Sequence, residues 1–214
     1  IQDRKLIMAL SKIDVANMLT GATPVANGGT GVTTGSGLVK LSTQTAAGDA
    51  SITFDNTLIT NTYDAYLLTF RDIDTATDSV SLNLHVSDDN GSSYVTSGVY
   101  KRVIGYGNHG HTDDSNMQKK TGAPSQLRLA GTALDVGSNS LETAAGHMWM
   151  YNLRKSDRGK CFFLSSTYEG DTEKGALNFG SVYLDDAMIV NNIKIEASSG
   201  NLTEGTFSLF GLVE

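Results

Sequence analysis

The sequence predicts an all-β protein: an antiparallel β-sandwich head of the jelly-roll kind, joined to a short N-terminal helix by a glycine-rich neck. Three observations predict it. From about residue 38 onward, apolar and polar residues alternate with a period of two, the period of a half-buried antiparallel strand. Charged residues make up only 18% of the chain and hydrophobic ones 39%. Gly, Ser, Thr, Asn and Asp fill the difference, as short strands joined by many turns require. Residues 1–20 follow a different period altogether.

That first segment, IQDRKLIMALSKIDVANMLT, places Leu6, Leu10, Ile13 and Asn17 at 4-3-4 spacing. This is the seam of a short coiled coil. A lone helix of this length is marginal in water, so it needs the rest of the chain or copies of itself. Residues 1–20 are therefore read as an oligomerisation or attachment segment. Residues 21–37 form the neck, where PVANGGTGVTTGSG holds Gly28, Gly29, Gly31, Gly35 and Gly37. Glycine permits positive φ and close backbone approach, which suits chains crossing near a symmetry axis. A turn-rich connector is the plainer reading of the same run. A phosphate loop is excluded: Val32 follows Gly31 and Leu38 follows Gly37 where Lys and then Ser or Thr are needed. Thr34 likewise stands where a dinucleotide fingerprint needs glycine.

The head spans 38–214. Strands are expected at 38–44, 50–54, 65–73, 79–88, 99–106, 126–130, 146–153, 160–168, 176–184, 188–197 and 206–213. Within 79–88, Val80, Leu82, Leu84 and Val86 fall on one face, and Ser81, Asn83, His85 and Ser87 on the other, which is expected to be exposed. Asn90-Gly91 follows as a hairpin turn. The preceding Asp88-Asp89 opens like a calcium loop but lacks its closing acid. About ten or eleven such strands suggest a sandwich or jelly roll. A long polar loop is expected over 107–124, and such loops on a rigid scaffold often carry binding.

The segment LTGATPVANGGTGVTTGSG closely resembles a stretch that recurs in the stems of bacteriophage tail fibres and related adhesive proteins. STQTAAGDASITFD, YDAYLLTFRDIDTATDSVSLNLHVSDDNGSSY and the closing GTFSLFGLVE are similar to a β-rich domain at the C-terminus of such fibres. The resemblance runs from about residue 19 to the end. It implies a virion protein, a homotrimer on a threefold axis, bound to other virion proteins through its N-terminal segment and to a host-surface glycan or protein through its head. On that reading Leu6, Leu10, Ile13, Asn17, Gly28, Gly29 and Gly31 serve trimerisation. The chain departs from long fibres in having no internal repeat. A capsid decoration or head-fibre protein is the second reading, and a glycan-depolymerising tail enzyme the third.

Composition narrows the classes. The net charge is −7 and the densest basic stretch, RKSDRGK at 154–160, contains an acid; it is expected to be a solvated loop. No patch matches a phosphate backbone, so no nucleic acid partner is expected. No apolar run approaches the roughly 20 residues of a membrane span. The single cysteine, Cys161, sits in KCFFL and reads as a small buried hydrophobe. Candidate carboxylate pairs are Asp113/Asp114, Asp185/Asp186 and Glu169/Asp171. Neighbours on a strand point to opposite faces, no nucleophile elbow or zinc-protease helix is present, and no enzyme activity is expected. In NHGHTDD, His109, His111 and Asp113 have the residue types of a transition-metal site, but the plainer reading is a solvated loop, and no metal or cofactor is expected. Aromatic faces can stack on sugars. Tyr94, Tyr100, Tyr106 and Trp149 are candidates, with Trp149 and Tyr151 sharing a strand face more suited to the core. Tyr106, His109, His111, Asp113 and Asp114, at the mouth of the long loop and within it, are the favoured receptor contacts.

Overall fold

The computed structural model describes residues 37–96, 100–109, 116–122, 124–132, 134–170 and 174–213. The expected N-terminal helix and all but the last residue of the neck lie outside them. Gly37, read above as neck, is the first residue of a strand.

Every element described is a strand, most of them made so by alternation of apolar side chains and Asn116–Gly122 by its pairing with Tyr100–His109. They are β1 (Gly37–Thr45), β2 (Ile52–Phe54), β3 (Ala65–Thr75), β4 (Leu82–Ser87), β5 (Tyr100–His109), β6 (Asn116–Gly122), β7 (Leu127–Ala130), β8 (Ala144–Tyr151), β9 (Lys160–Gly170), β10 (Lys174–Leu184), β11 (Asn192–Ala197) and β12 (Leu202–Val213). They form an eight-stranded sheet in the order β1-β12-β3-β8-β9-β10-β5-β6 and a four-stranded sheet in the order β2-β11-β4-β7. Neighbouring strands run antiparallel throughout. With the hairpins β5-β6 and β9-β10 set aside, the other eight strands have jelly-roll order: β1-β12-β3-β8 opposite β2-β11-β4-β7. The two hairpins are insertions that widen one sheet only.

The core lies between the sheets. From the large sheet come Tyr66, Leu68 and Phe70 of β3, Phe162 and Leu164 of β9, and Phe207 and Leu209 of β12; from the small sheet come Phe54, Leu84, Val86, Ile193 and Ile195. Each such side chain stabilises the fold by about 1.5–3 kcal/mol when fully buried. Polar pins cross the same space. Ser166 Oγ donates to the Leu129 carbonyl at 2.6 Å, and the Thr132 amide donates to the Tyr168 hydroxyl at 3.0 Å. Both tie β9 to the β7 region. The Tyr66 hydroxyl accepts from the Thr60 amide and donates to the Thr60 carbonyl, both at 2.7 Å, closing the loop before β3.

The exposed sheet edges carry protection. β1 bulges between Lys40 and Ser42, and β6 presents Lys119 and Lys120. Bulges and lysines both discourage a further strand from pairing.

Several expectations are corrected. The loop over 107–124 is largely a hairpin: β5 continues to His109 and β6 returns from Asn116. The polar face of β4 is not exposed. Ser81, Asn83 and Ser87 are buried, which their short side chains permit because they find local partners: Ser81 Oγ lies 3.3 Å from Asn83 Oδ1, and Ser87 Oγ donates to Asp89 at 2.7 Å. His85 is mostly covered and holds Glu196 at 3.1 Å. The stretch 154–160 is exposed at Lys155, Asp157 and Arg158, but Lys160 is fully buried. Its ammonium donates to the carbonyls of Lys155 (2.7 Å), Arg158 (2.5 Å) and Asp186 (3.5 Å). Desolvation lowers its pKa.

The expected Asn90-Gly91 turn is present, with φ of 58° and 87°, but it does not close a hairpin: β4 pairs with β11 and β7, and the next strand, β5, lies in the other sheet. Asp89 organises it. Its carboxylate accepts from Ser93 Oγ (2.7 Å), Ser87 Oγ (2.7 Å) and the Ser93 amide (2.9 Å), which holds its pKa down to about 2.

Two outcomes follow. Lys160→Met removes the donor shared by three carbonyls and is expected to lower the unfolding free energy by about 1–3 kcal/mol in a urea titration. Asp89→Ala is expected to lower the thermal midpoint at pH 7. Because the folded pKa lies below the ordinary 3.8, the contribution of Asp89 is present above that value and is lost as pH falls towards about 2. The gap between wild type and variant should therefore narrow across that interval.

Candidate interaction surface

The large sheet has a second face, turned away from the core. Registers across its strands align the outward residues in rows. One row runs Phe210–Leu67–Trp149–Phe163 and on through Ser181 to Val103. The next holds Leu38, Leu212, Tyr151, Cys161 and Tyr183. Phe163 is 49% exposed and Val103 59%. The indole of Trp149 and ring of Tyr151 stack at 6.1 Å with an interplanar angle of 16°.

Glycine gives this face relief. Gly105 pairs with Phe179, and the Phe179 ring lies over it; a Cβ there would sit 2.5 Å from Cζ. Two shallow hollows lie on the same face. One, of about 500 Å³, is bordered by Lys101, Val103, Cys161 and Tyr183. The other, of about 640 Å³, is bordered by His147, Ser165, Thr167, Leu177 and Phe179. Lys101 closes the rim in an ion pair with Asp185, which raises its pKa.

The inward side of β5 and β6 differs. Tyr106, favoured as a receptor contact, lies mid-strand rather than at a loop mouth, half-buried, and its hydroxyl donates to Gln118 Oε1 at 2.7 Å. On the same side Arg102 and Lys120 are diagonal neighbours across the β5-β6 ladder, close to Arg128 of β7. Desolvation first, and then Arg128, lower the pKa of both; Arg102 lowers that of Lys120 further. Arg102 Nε is buried with no partner among the described residues.

Of the other sequence-predicted site residues, His109 closes β5 in the backbone pairing. His111, Asp113 and Asp114 lie outside the described residues, as do Leu6, Leu10, Ile13, Asn17, Gly28, Gly29 and Gly31. Tyr100 is a core residue, 0% exposed, and so offers no contact surface. Tyr94 is occupied by the Lys194 ammonium, 4.6 Å over its ring. Trp149 and Tyr151 do share a face, but it is the outer one; the expected core placement is overturned. Cys161 is exposed, not buried, because it has the outward parity of β9 beside the inward Phe162. Among the described residues no group of three or more His, Cys, Asp or Glu is placed to hold a metal ion, and no helix is long and apolar enough to cross a membrane.

Comparison with family models, curated proteins and solved structures finds no match.

The outer apolar face was not singled out from the sequence, yet a signal for it exists. β8 reads HMWMY and β9 reads CFFL. Apolar residues occupy both parities, a pattern of strands covered on both sides.

The cationic trio is open to a direct check. Like charges placed as cross-strand neighbours are destabilising. Lys120→Gln is expected to raise the thermal midpoint at low ionic strength by an amount corresponding to a few tenths of a kcal/mol, and the difference should close at about 0.5 M salt, where screening is nearly complete.

Proposed function

We propose that this chain is a bacteriophage virion fibre protein, a receptor-binding adhesin whose head meets the host surface in several identical copies. The observation that carries the reading is the PVANGGTG segment at 24–31 standing directly before an all-β head. The jelly-roll sandwich supports it as a rigid scaffold, and the heptad-like spacing of Leu6, Leu10, Ile13 and Asn17 supports self-association. Residues 1–20 join the copies, as a homotrimer, and dock them on the virion. The β5-β6 hairpin, with Tyr106 and the adjoining segment containing His109, His111, Asp113 and Asp114, carries the receptor contacts. Mechanism is multivalent binding: several weak sites on one rigid body gain avidity without new contacts.

The test is binding of labelled full-length protein to a panel of bacterial strains, beside the head alone from residue 37. Saturable binding to a subset of strains by the full chain, weakened by about tenfold or more in the head alone, is the expected result. Absence of binding by either across the panel would move the assignment to a capsid or tail structural protein. Loss of viscosity in a capsular polysaccharide would point instead to a depolymerase.

A further inference from the structure

We infer that the outer face of the eight-stranded sheet is the surface by which copies of this chain pack against each other. The choice of occupant rests on the reading of the chain as a self-associating fibre protein; the existence of a covered face does not.

Four observations lead there. First, at one end of the large sheet the central strands are apolar at both parities, although only one parity faces the small sheet: Phe210 and Leu212 of β12, Leu67 of β3, Trp149 and Tyr151 of β8, and Cys161 and Phe163 of β9 have the outward parity there. A strand with one wet face alternates; a strand covered on both sides does not. Second, the patch is continuous. The row from Phe210 to Phe163 crosses four adjacent strands without a polar residue, whereas apolar surface on a monomer is usually scattered or confined to small patches. Third, charge is arranged as at a subunit contact. In the rows through Phe163 and Cys161, β12, β3, β8, β9 and β10 present no Asp, Glu, Lys or Arg outward, and the flanking charges, Lys40 on β1 and Lys101 on β5, stand at the margins. Interfaces share this pattern of uncharged centre and polar rim. It matters doubly for identical copies carrying a net charge of −7 each, which repel wherever like charges face one another. Fourth, the size fits. Eight strands at about 4.8 Å spacing carry the two apolar rows and, beside them, the row through Ser208, Thr69, His147, Ser165 and Phe179; at about 6.8 Å per row the three cover on the order of 800 Å². A stable interface takes roughly 800 Å² from each partner.

Cys161 reports on this face without further labelling chemistry, since it is the chain's single cysteine, is exposed in the isolated subunit and sits in the row beside Phe163. The experiment combines sedimentation velocity with the rate of maleimide alkylation of Cys161 in full-length protein. It compares wild type with Phe179→Glu, with Phe163→Gln, and with Ile189→Glu, a similarly exposed position in the β10-β11 connection. The wild type is expected to sediment as an oligomer whose Cys161 reacts at least tenfold more slowly than in either face variant, while Ile189→Glu behaves as wild type. If residues 1–20 hold the copies together in the face variants, Cys161 still becomes reactive, and the inference stands. Phe163→Gln serves if Phe179→Glu loses its far-UV circular dichroism.

A monomeric wild type at tens of micromolar overturns the inference. So does an oligomer whose Cys161 reacts as fast as in the variants, or protection that appears only when a bacterial glycan is added, which would give the face to the receptor. Failure of strain binding leaves Cys161 protection unchanged and touches only the adhesin reading. Loss of protection beside intact strain binding touches only this one.

Discussion

One constraint governs this head: a sheet of eight strands is backed by a sheet of four. Burial of alternate apolar side chains between the two layers is what holds the fold, and Phe162, Phe207 and Leu84 show it at full strength, at 1% exposure or less. The small sheet can complete only one side of the large one. Everything else about the molecule follows from how the remaining surface is handled. The inner margin, at β5 and β6, sets Arg102, Lys120, Tyr106 and Gln118 around the buried Ile104. The outer side keeps its aromatics.

The insertions β5-β6 and β9-β10 make the difference between this head and a plain jelly roll. Each is a hairpin added at the same edge of the same sheet, so each widens the outer face while leaving the sandwich order undisturbed. β10 is the junction between them, pairing with β9 on one side and β5 on the other along most of its length. It contributes Val182 and Leu184 inward and Phe179 and Tyr183 outward. A single strand thus serves the fold and the candidate interaction surface together.

Much of this was legible in the residues. The strands expected at 65–73, 160–168 and 206–213 lie within β3, β9 and β12, and Asn90-Gly91 fixed its turn because residues tolerant of positive φ fit there. Other features had no local signature. β6, NMQKKTG, has hardly an apolar residue; its conformation is set by the ladder to β5, not by its own composition. Lys160 sits at an inward parity that predicts an apolar residue, and is accommodated because three carbonyls converge on its ammonium, those of Lys155 and Arg158 just before it and that of Asp186 beyond β10. For Trp149, Tyr151 and Cys161, period two shows that they share a face but not which way it is turned, since inward Met148 and Phe162 are equally apolar. The candidate site was less legible than the fold for that reason. A face that is apolar like the core is read as core.

The pairing of β1 with β12 has a consequence for biogenesis. Gly37 lies opposite Val213 and Thr45 opposite Thr206, so the first strand of the sheet finds its partner only at the far end of the head, after every other described strand has been made. β3 shares that dependence, since β12 is its neighbour too. Contacts of such long sequence separation form slowly and late. During synthesis the head therefore cannot close until β12 has been made. Until β12 emerges, β1 has no partner in the large sheet and β3 has only β8.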